Sequence, residues 1–159
     1  SAFISISREL VLGLLREVVD AVHDAGGLVG VHICANTDWL LAFDSGVDII
    51  NFDAYNYFDR FVLYAENIHQ FLAQDKILAW GIVPTSDPQI IARETSQSLV
   101  DRWTMFADQL CGRGIALKDI LSHSLFTPSC GCGSLTEEMA ERVLTLTHGV
   151  GEIIQTQLK

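Results

Sequence analysis

Basic side chains are scarce in this chain. Ten Lys and Arg stand against 20 Asp and Glu, giving a formal net charge of -10 and a pI near 4.7. A chain of that sign offers no cationic footprint for nucleic acid or for an anionic membrane surface, so a small molecule is the expected partner. Long apolar runs are missing too. No stretch of about eighteen uninterrupted apolar residues occurs, which leaves no candidate for a membrane-spanning helix. The start, Ser1-Ala2-Phe3-Ile4, has neither the basic segment nor the cleavage site of a secretory signal, and the compartment expected from this is the cytoplasm. Linkers, low-complexity stretches and repeats are likewise absent, so residues 1–159 read as one unit.

Charge of either sign is also low, at 19% of residues, while 49% are hydrophobic and the mean hydropathy is +0.29. That is more apolar than a free-standing domain of this length needs, and part of the apolar surface is expected to meet something else. What the chain does have is cysteine: Cys34, Cys111, Cys130 and Cys132. Without a secretory signal, these favour free thiols or metal ligands over a disulfide framework.

Four strand-like apolar segments, residues 27–34, 47–54, 77–83 and 120–126, alternate with helical patterns, the signature of βα units around a parallel sheet. The opening helix, 8–25, places Leu10, Leu14, Leu15, Val18, Val19 and Val22 on one face and ends at Gly26-Gly27. Asn36-Thr37-Asp38 caps a short helix through Phe43. Further helices are expected over 59–73, from Ser86-Asp87-Pro88 to about residue 110, and over 136–157, where Glu137 and Glu138 suit a helix N-terminus. Four βα units preceded by a helix make half of an eight-stranded barrel, for which about 250 residues are typical. The predicted fold is therefore α/β, the C-terminal half of a (βα)8 TIM-like barrel with about four parallel strands and flanking helices. Because half a barrel leaves two strand edges and an interior uncovered, the missing half is expected in the same or another chain. A small open α/β sheet with helices on both faces is the alternative.

The chemistry-bearing residues lie where strands run out. His32 and Cys34 are two apart on the first strand and so point to one side, and Cys130 follows the last strand. In α/β proteins that end of the sheet is the functional one. Cys132 is an alternative ligand two residues away. Cys111 reads as structural, His123 as packed core, and His23, His69 and His148 as helix residues without chemistry. Trp39, Tyr55, Tyr57 and Trp80 either wall a pocket or pack the core. The Gly131, Gly133 and Ser134 loop precedes a helix N-terminus, a place suited to a carboxylate or phosphate.

The segments Val31-His32-Ile33-Cys34-Ala35-Asn36-Thr37, Asp48-Ile49-Ile50-Asn51-Phe52-Asp53-Ala54, Trp80-Gly81-Ile82-Val83-Pro84-Thr85-Ser86 and Thr127-Pro128-Ser129-Cys130-Gly131-Cys132-Gly133 together resemble the C-terminal half of the catalytic barrel of cobalamin-independent methionine synthase. The resemblance extends to the corrinoid methyltransferases of the uroporphyrinogen decarboxylase-like superfamily, which share the His-x-Cys and a distant Cys. It implies zinc as the cofactor, with His32, Cys34, Asp53 and Cys130 in the ligand positions, and a small-molecule thiol and a methyl donor as the substrates. Asp53 stands where the family has glutamate, one methylene longer, so it is expected to ligate directly, act through water or only hydrogen-bond. Pro84-Thr85-Ser86 stands where the synthases have a histidine that assists the folate donor. The acidic substrate-binding motif of the family falls before Ser1, which points to a fragment. Methyl transfer to homocysteine to give methionine is the implied activity. A corrinoid-dependent thiol methyltransferase and a truncated paralogue without activity are the alternatives.

Overall fold

A computed structural model describes residues 7–157; the start of the chain, on which the expectation of compartment rests, lies outside the described residues. The elements are α1 (Arg8–Asp24), β1 (Gly30–Ile33), α2 (Trp39–Asp44), β2 (Ile49–Phe52), α3 (Ala54–Phe61), a 3-10 turn (Val62–Tyr64), α4 (Ala65–Leu72), β3 (Ile77–Val83), α5 (Pro88–Arg93), α6 (Ser96–Cys111), α7 (Leu117–Ser122), β4 (Ser124–Pro128) and α8 (Glu137–Gln157). The strands form one sheet in the order β1-β2-β3-β4, with every pairing parallel. Parallel neighbours need crossover connections, and right-handed crossovers between strands laid down in sequence order all fall on the same side of the sheet. Among the described residues, no helix is long and apolar enough to cross a membrane.

The two faces of the sheet differ accordingly. Ile50 and Phe52 of β2 and Leu78, Trp80 and Ile82 of β3 are buried beneath the helices. Aromatic side chains fill that core: Phe52 stacks on Phe61 at 4.0 Å between centroids, Trp39 meets Phe61 edge-on at 5.0 Å, and Trp80 leads through Trp103 to Phe126. Trp39 and Trp80 are therefore core residues and wall no pocket. Residues at alternate positions occupy the other face, where His32 pairs with Asn51, Asn51 with Ala79, and Ala79 with Leu125. Here Gly30 and His32 are exposed, Asn51 is half-buried and Leu125 is 48% exposed.

The strands expected over 27–34 and 47–54 shorten to Gly30–Ile33 and Ile49–Phe52, and three other expected spans change. The helix expected from residue 59 starts at Ala54, because the Asp53 side chain accepts the Asn56 N–H and caps it, and a 3-10 turn then divides it into α3 and α4. The helix after Pro88 breaks at Glu94-Thr95. Thr95 and Ser98 form a capping box that starts α6, and Arg142 of α8 donates to the carbonyls of Ile91, Ala92 and Glu94 that the break leaves free. The segment 120–126 is half helix: Ile120 to Ser122 close α7, and β4 runs from Ser124 to Pro128. His123 consequently sits at a helix end, its Nδ1 2.8 Å from the Asp119 carbonyl, and not in the strand core.

The opening helix behaves as expected along its length but is only partly covered. Val19 is buried, whereas Leu10, Leu14 and Val18 are 54%, 55% and 62% exposed. Its end is tied to the sheet through Asp48, which accepts from the Val29 N–H and lies 2.8 Å from His23 Nε2. Burial pushes the Asp48 carboxyl up, but these two hydrogen bonds and the charge of Lys76 outweigh it and hold the group below its usual range.

Candidate metal centre

His32 is the third residue of β1, and Cys34 follows its last residue. Cys130 lies two residues past the end of β4. Their donor atoms all lie within 4.8 Å of one another, and all three side chains are exposed. β1 and β4 are the outermost strands of the sheet, and three interstrand spacings of about 4.8 Å would hold them roughly 14 Å apart were the sheet flat. The donors meet because this face is concave and the loop after β4 leans over β3.

Gly81 makes that lean possible. A Cβ added there would lie 2.5 Å from the Phe52 carbonyl oxygen and 2.9 Å from the Cα of Ser129, so only glycine admits the close crossing of the two backbones. Ser129 is then pinned: its N–H donates to the Val83 carbonyl at 2.8 Å, and its hydroxyl is 3.1 Å from that of Thr85. The ladder between β3 and β4 is irregular at the same place, between Gly81 and Val83. Cys130, next in sequence, is thereby carried toward β1.

On the opposite side of the site, His32 Nδ1 is 2.5 Å from Asn51 Oδ1. Asn51 Nδ2 donates to the Ala79 carbonyl at 2.9 Å and to Thr127 Oγ1 at 2.8 Å. A polar chain thus runs across the concave face from β1 to β4, over the small side of β3. Neither Asn51 nor Thr127 nor Gly81 is among the residues singled out from sequence. The signal was present in one case, since Asn51 is a lone amide on the same face as His32 in an otherwise apolar strand.

The two sulfurs are unequal. The His32 ring, the Gly131 N–H and the Cys34 thiol all favour the charged form of Cys130, which falls below the usual thiol range. Cys34 moves up, because it is the partner that keeps its proton for Cys130, and because burial and the nearby charge of Asp53 add to this. Asp53 itself is 5% exposed, and its two oxygens accept from the N–H and the side-chain amide of Asn56 at 2.9 and 2.8 Å. It is not among the groups that converge, although it is close enough to act on Cys34 through its charge. Cys132 is half-buried against the core, and burial raises its thiol. All four cysteines are free. The convergence of one imidazole and two thiols suits a borderline-soft cation in tetrahedral geometry, with one position left for a ligand from solution.

Tyr55, at the start of α3, is turned away from this site. Its hydroxyl donates to Glu94 at 2.7 Å and its ring lies 4.2 Å beneath the Arg102 guanidinium; burial, followed by the bond to Glu94, pushes the phenol up to about 12. Gly131 and Gly133 have open space around them.

Comparisons of the chain with protein-family models, with curated proteins and with solved structures gave no match.

Proposed function

We propose that this chain is the metal-bearing half of a barrel that transfers a methyl group to the thiol of homocysteine, giving methionine, with zinc as the metal. The observation that carries the reading is the meeting of His32, Cys34 and Cys130 at the strand ends of one sheet. A half barrel accounts for the rest of the architecture. The strands follow in sequence order without the reversal that marks a doubly wound sheet. β1 and β4 have no outer neighbour among the described residues. A groove of about 470 Å³ runs beside β4, lined by Leu125, Phe126, His148 and Gly151 among others, and is the place for a further strand. The exposed stripe of Leu10, Leu14 and Val18 marks the other side of the missing half. It is expected in the same or another chain.

Bound zinc supplies the positive charge that lets a thiol ionise near neutral pH. His32, Cys34 and Cys130 would hold three positions on it, and two protein thiolates would balance the double charge of the cation, leaving an incoming substrate sulfur electron-rich. Asp53 stands behind Cys34 and adds negative potential without giving up its own cap to α3. Methyl transfer is then a displacement in which the protein's part is to line up sulfur and donor. The donor is an open choice between folate and corrinoid, and one observation favours the corrinoid: the Pro84-Thr85-Ser86 stretch offers no imidazole, and Thr85 is buried against Ser129.

The test is metal analysis of the reduced protein together with its companion half, followed by assays offering methyltetrahydrofolate and methylcobalamin side by side with homocysteine. One zinc per chain and methionine formed from either donor supports the proposal. Zinc that does not bind after reconstitution removes its basis, and zinc without transfer to any thiol leaves the inactive paralogue as the reading.

A further inference from the structure

Asn51 occupies the middle of the concave face, directly opposite His32 in the β1–β2 register. Its amide touches three polar groups, and one of them settles which end points where. The Ala79 carbonyl can only accept, so the atom 2.9 Å from it is the Asn51 nitrogen, and the atom facing His32 is the oxygen. An amide oxygen has no proton to give. The His32 Nδ1 beside it must therefore carry one, and in the neutral ring the lone pair is left on Nε2.

We propose that Asn51 is a positioning residue for the metal centre: it holds the Nδ1–H of His32, fixes the tautomer in which Nε2 is the metal ligand, and sets the angle of the ring relative to Cys34 and Cys130. This rests on the metal-site reading above and adds a residue that lies outside the donor set. Histidine ligands commonly donate their second N–H to a carboxylate or carbonyl, and that partner governs ring orientation and metal affinity. An amide does so without adding negative charge to a site that already contains two thiols. Asn51 is itself held at two points, by the Ala79 carbonyl on β3 and by Thr127 Oγ1 on β4. The orientation of His32 on one edge strand is thus tied to the strand that leads to Cys130 on the other. Ala79 leaves room for this, since its methyl is the only side chain between Asn51 and β4 in that register.

The protonation of each ring nitrogen is read by long-range proton–nitrogen NMR on the reduced protein, first metal-free and then with Zn2+. Unchanged protein is expected to show Nδ1 protonated, held by the Asn51 oxygen, in both states, and Nε2 unprotonated once Zn2+ is bound. Asn51→Leu is expected to lose that preference and to bind Zn2+ and Co2+ about 10–100-fold more weakly in chelator competition. Thr127→Val, which keeps the Asn51 oxygen and removes one of its two anchors, is expected to keep the tautomer with a smaller loss of affinity; it also carries the test if Asn51→Leu does not fold. Unprotonated Nδ1 in the unchanged protein, metal-free or with Zn2+ bound, overturns the assignment, as does a folded Asn51→Leu with unaltered Nδ1 protonation and affinity. The metal-free spectrum separates the two levels of inference. A wrong tautomer removes Asn51's role alone, while absence of Zn2+ binding by the unchanged protein removes the metal centre.

Discussion

The covered and open faces of this sheet use the same strands for opposite ends. Beneath the helices, every second residue contributes apolar area, and Phe52, Trp80 and Ile82 have no exposed surface at all. The concave face also carries Ile49, Ile77 and Leu125, but its middle is polar, with hydrogen bonds running from His32 through Asn51 to Thr127. The difference teaches where the free energy and the chemistry reside. One face holds the fold together, and the other is left free to arrange donors, so substitutions on the two faces should separate in their consequences.

Trp80→Ala should break this comparison hardest. It empties the centre of the aromatic core and should cost about 3–5 kcal/mol, read as a fall in the denaturant midpoint, with metal binding lost only because the fold is lost. Gly81→Ala stands between the two faces. Its methyl meets backbone on two sides, so the expected cost is about 1–3 kcal/mol, together with weaker Zn2+ binding in protein that remains folded, because the Cys130 loop is lifted away from β1.

Asp48→Asn lies at the end of the strands away from the metal and should cost about 1 kcal/mol at neutral pH through its bonds to Val29 and His23. The native carboxyl is held below its unfolded value of about 3.9, so its contribution is present above that pH and disappears as pH falls through the lower folded value. Acid unfolding curves of Asp48→Asn should therefore be flatter in that window and should leave Zn2+ affinity untouched. Cys130→Ser should do the least to the fold, within about 0.5 kcal/mol in the metal-free protein, while abolishing the two-thiol site. Cys132→Ser, which alters a packing residue, should retain the metal.

Much of this was legible before any coordinates. The βα alternation follows from apolar segments separated by capped helical patterns, and β3, apolar throughout, coincides with its expected span. His32 and Cys34 were readable because a strand repeats every two residues, and Cys130 because it follows the last strand. The boundaries that moved did so where side chains cap backbone locally: Asp53 looked like a strand end and is also a helix cap, and Thr95 restarts a helix in the middle of what reads as one amphipathic run. The apolar face of α1 was visible, but how little of it the sheet covers was not, because coverage depends on what lies beside it. Gly81 was hidden for a similar reason, and of Asn51 only the lone amide in an apolar strand was visible. Their roles depend on which strand neighbours which, and register is a property of the assembled sheet.

The central claim is most directly tested by loading the reduced protein with Co2+ and recording its absorption spectrum and metal stoichiometry, with Cys130→Ser alongside. One cobalt per chain, with the sulfur-to-metal charge-transfer and ligand-field bands of a tetrahedral two-thiolate site that weaken in Cys130→Ser, is the result predicted here. Cobalt bound without thiolate bands, or a spectrum unchanged when Cys130 is replaced, would contradict it.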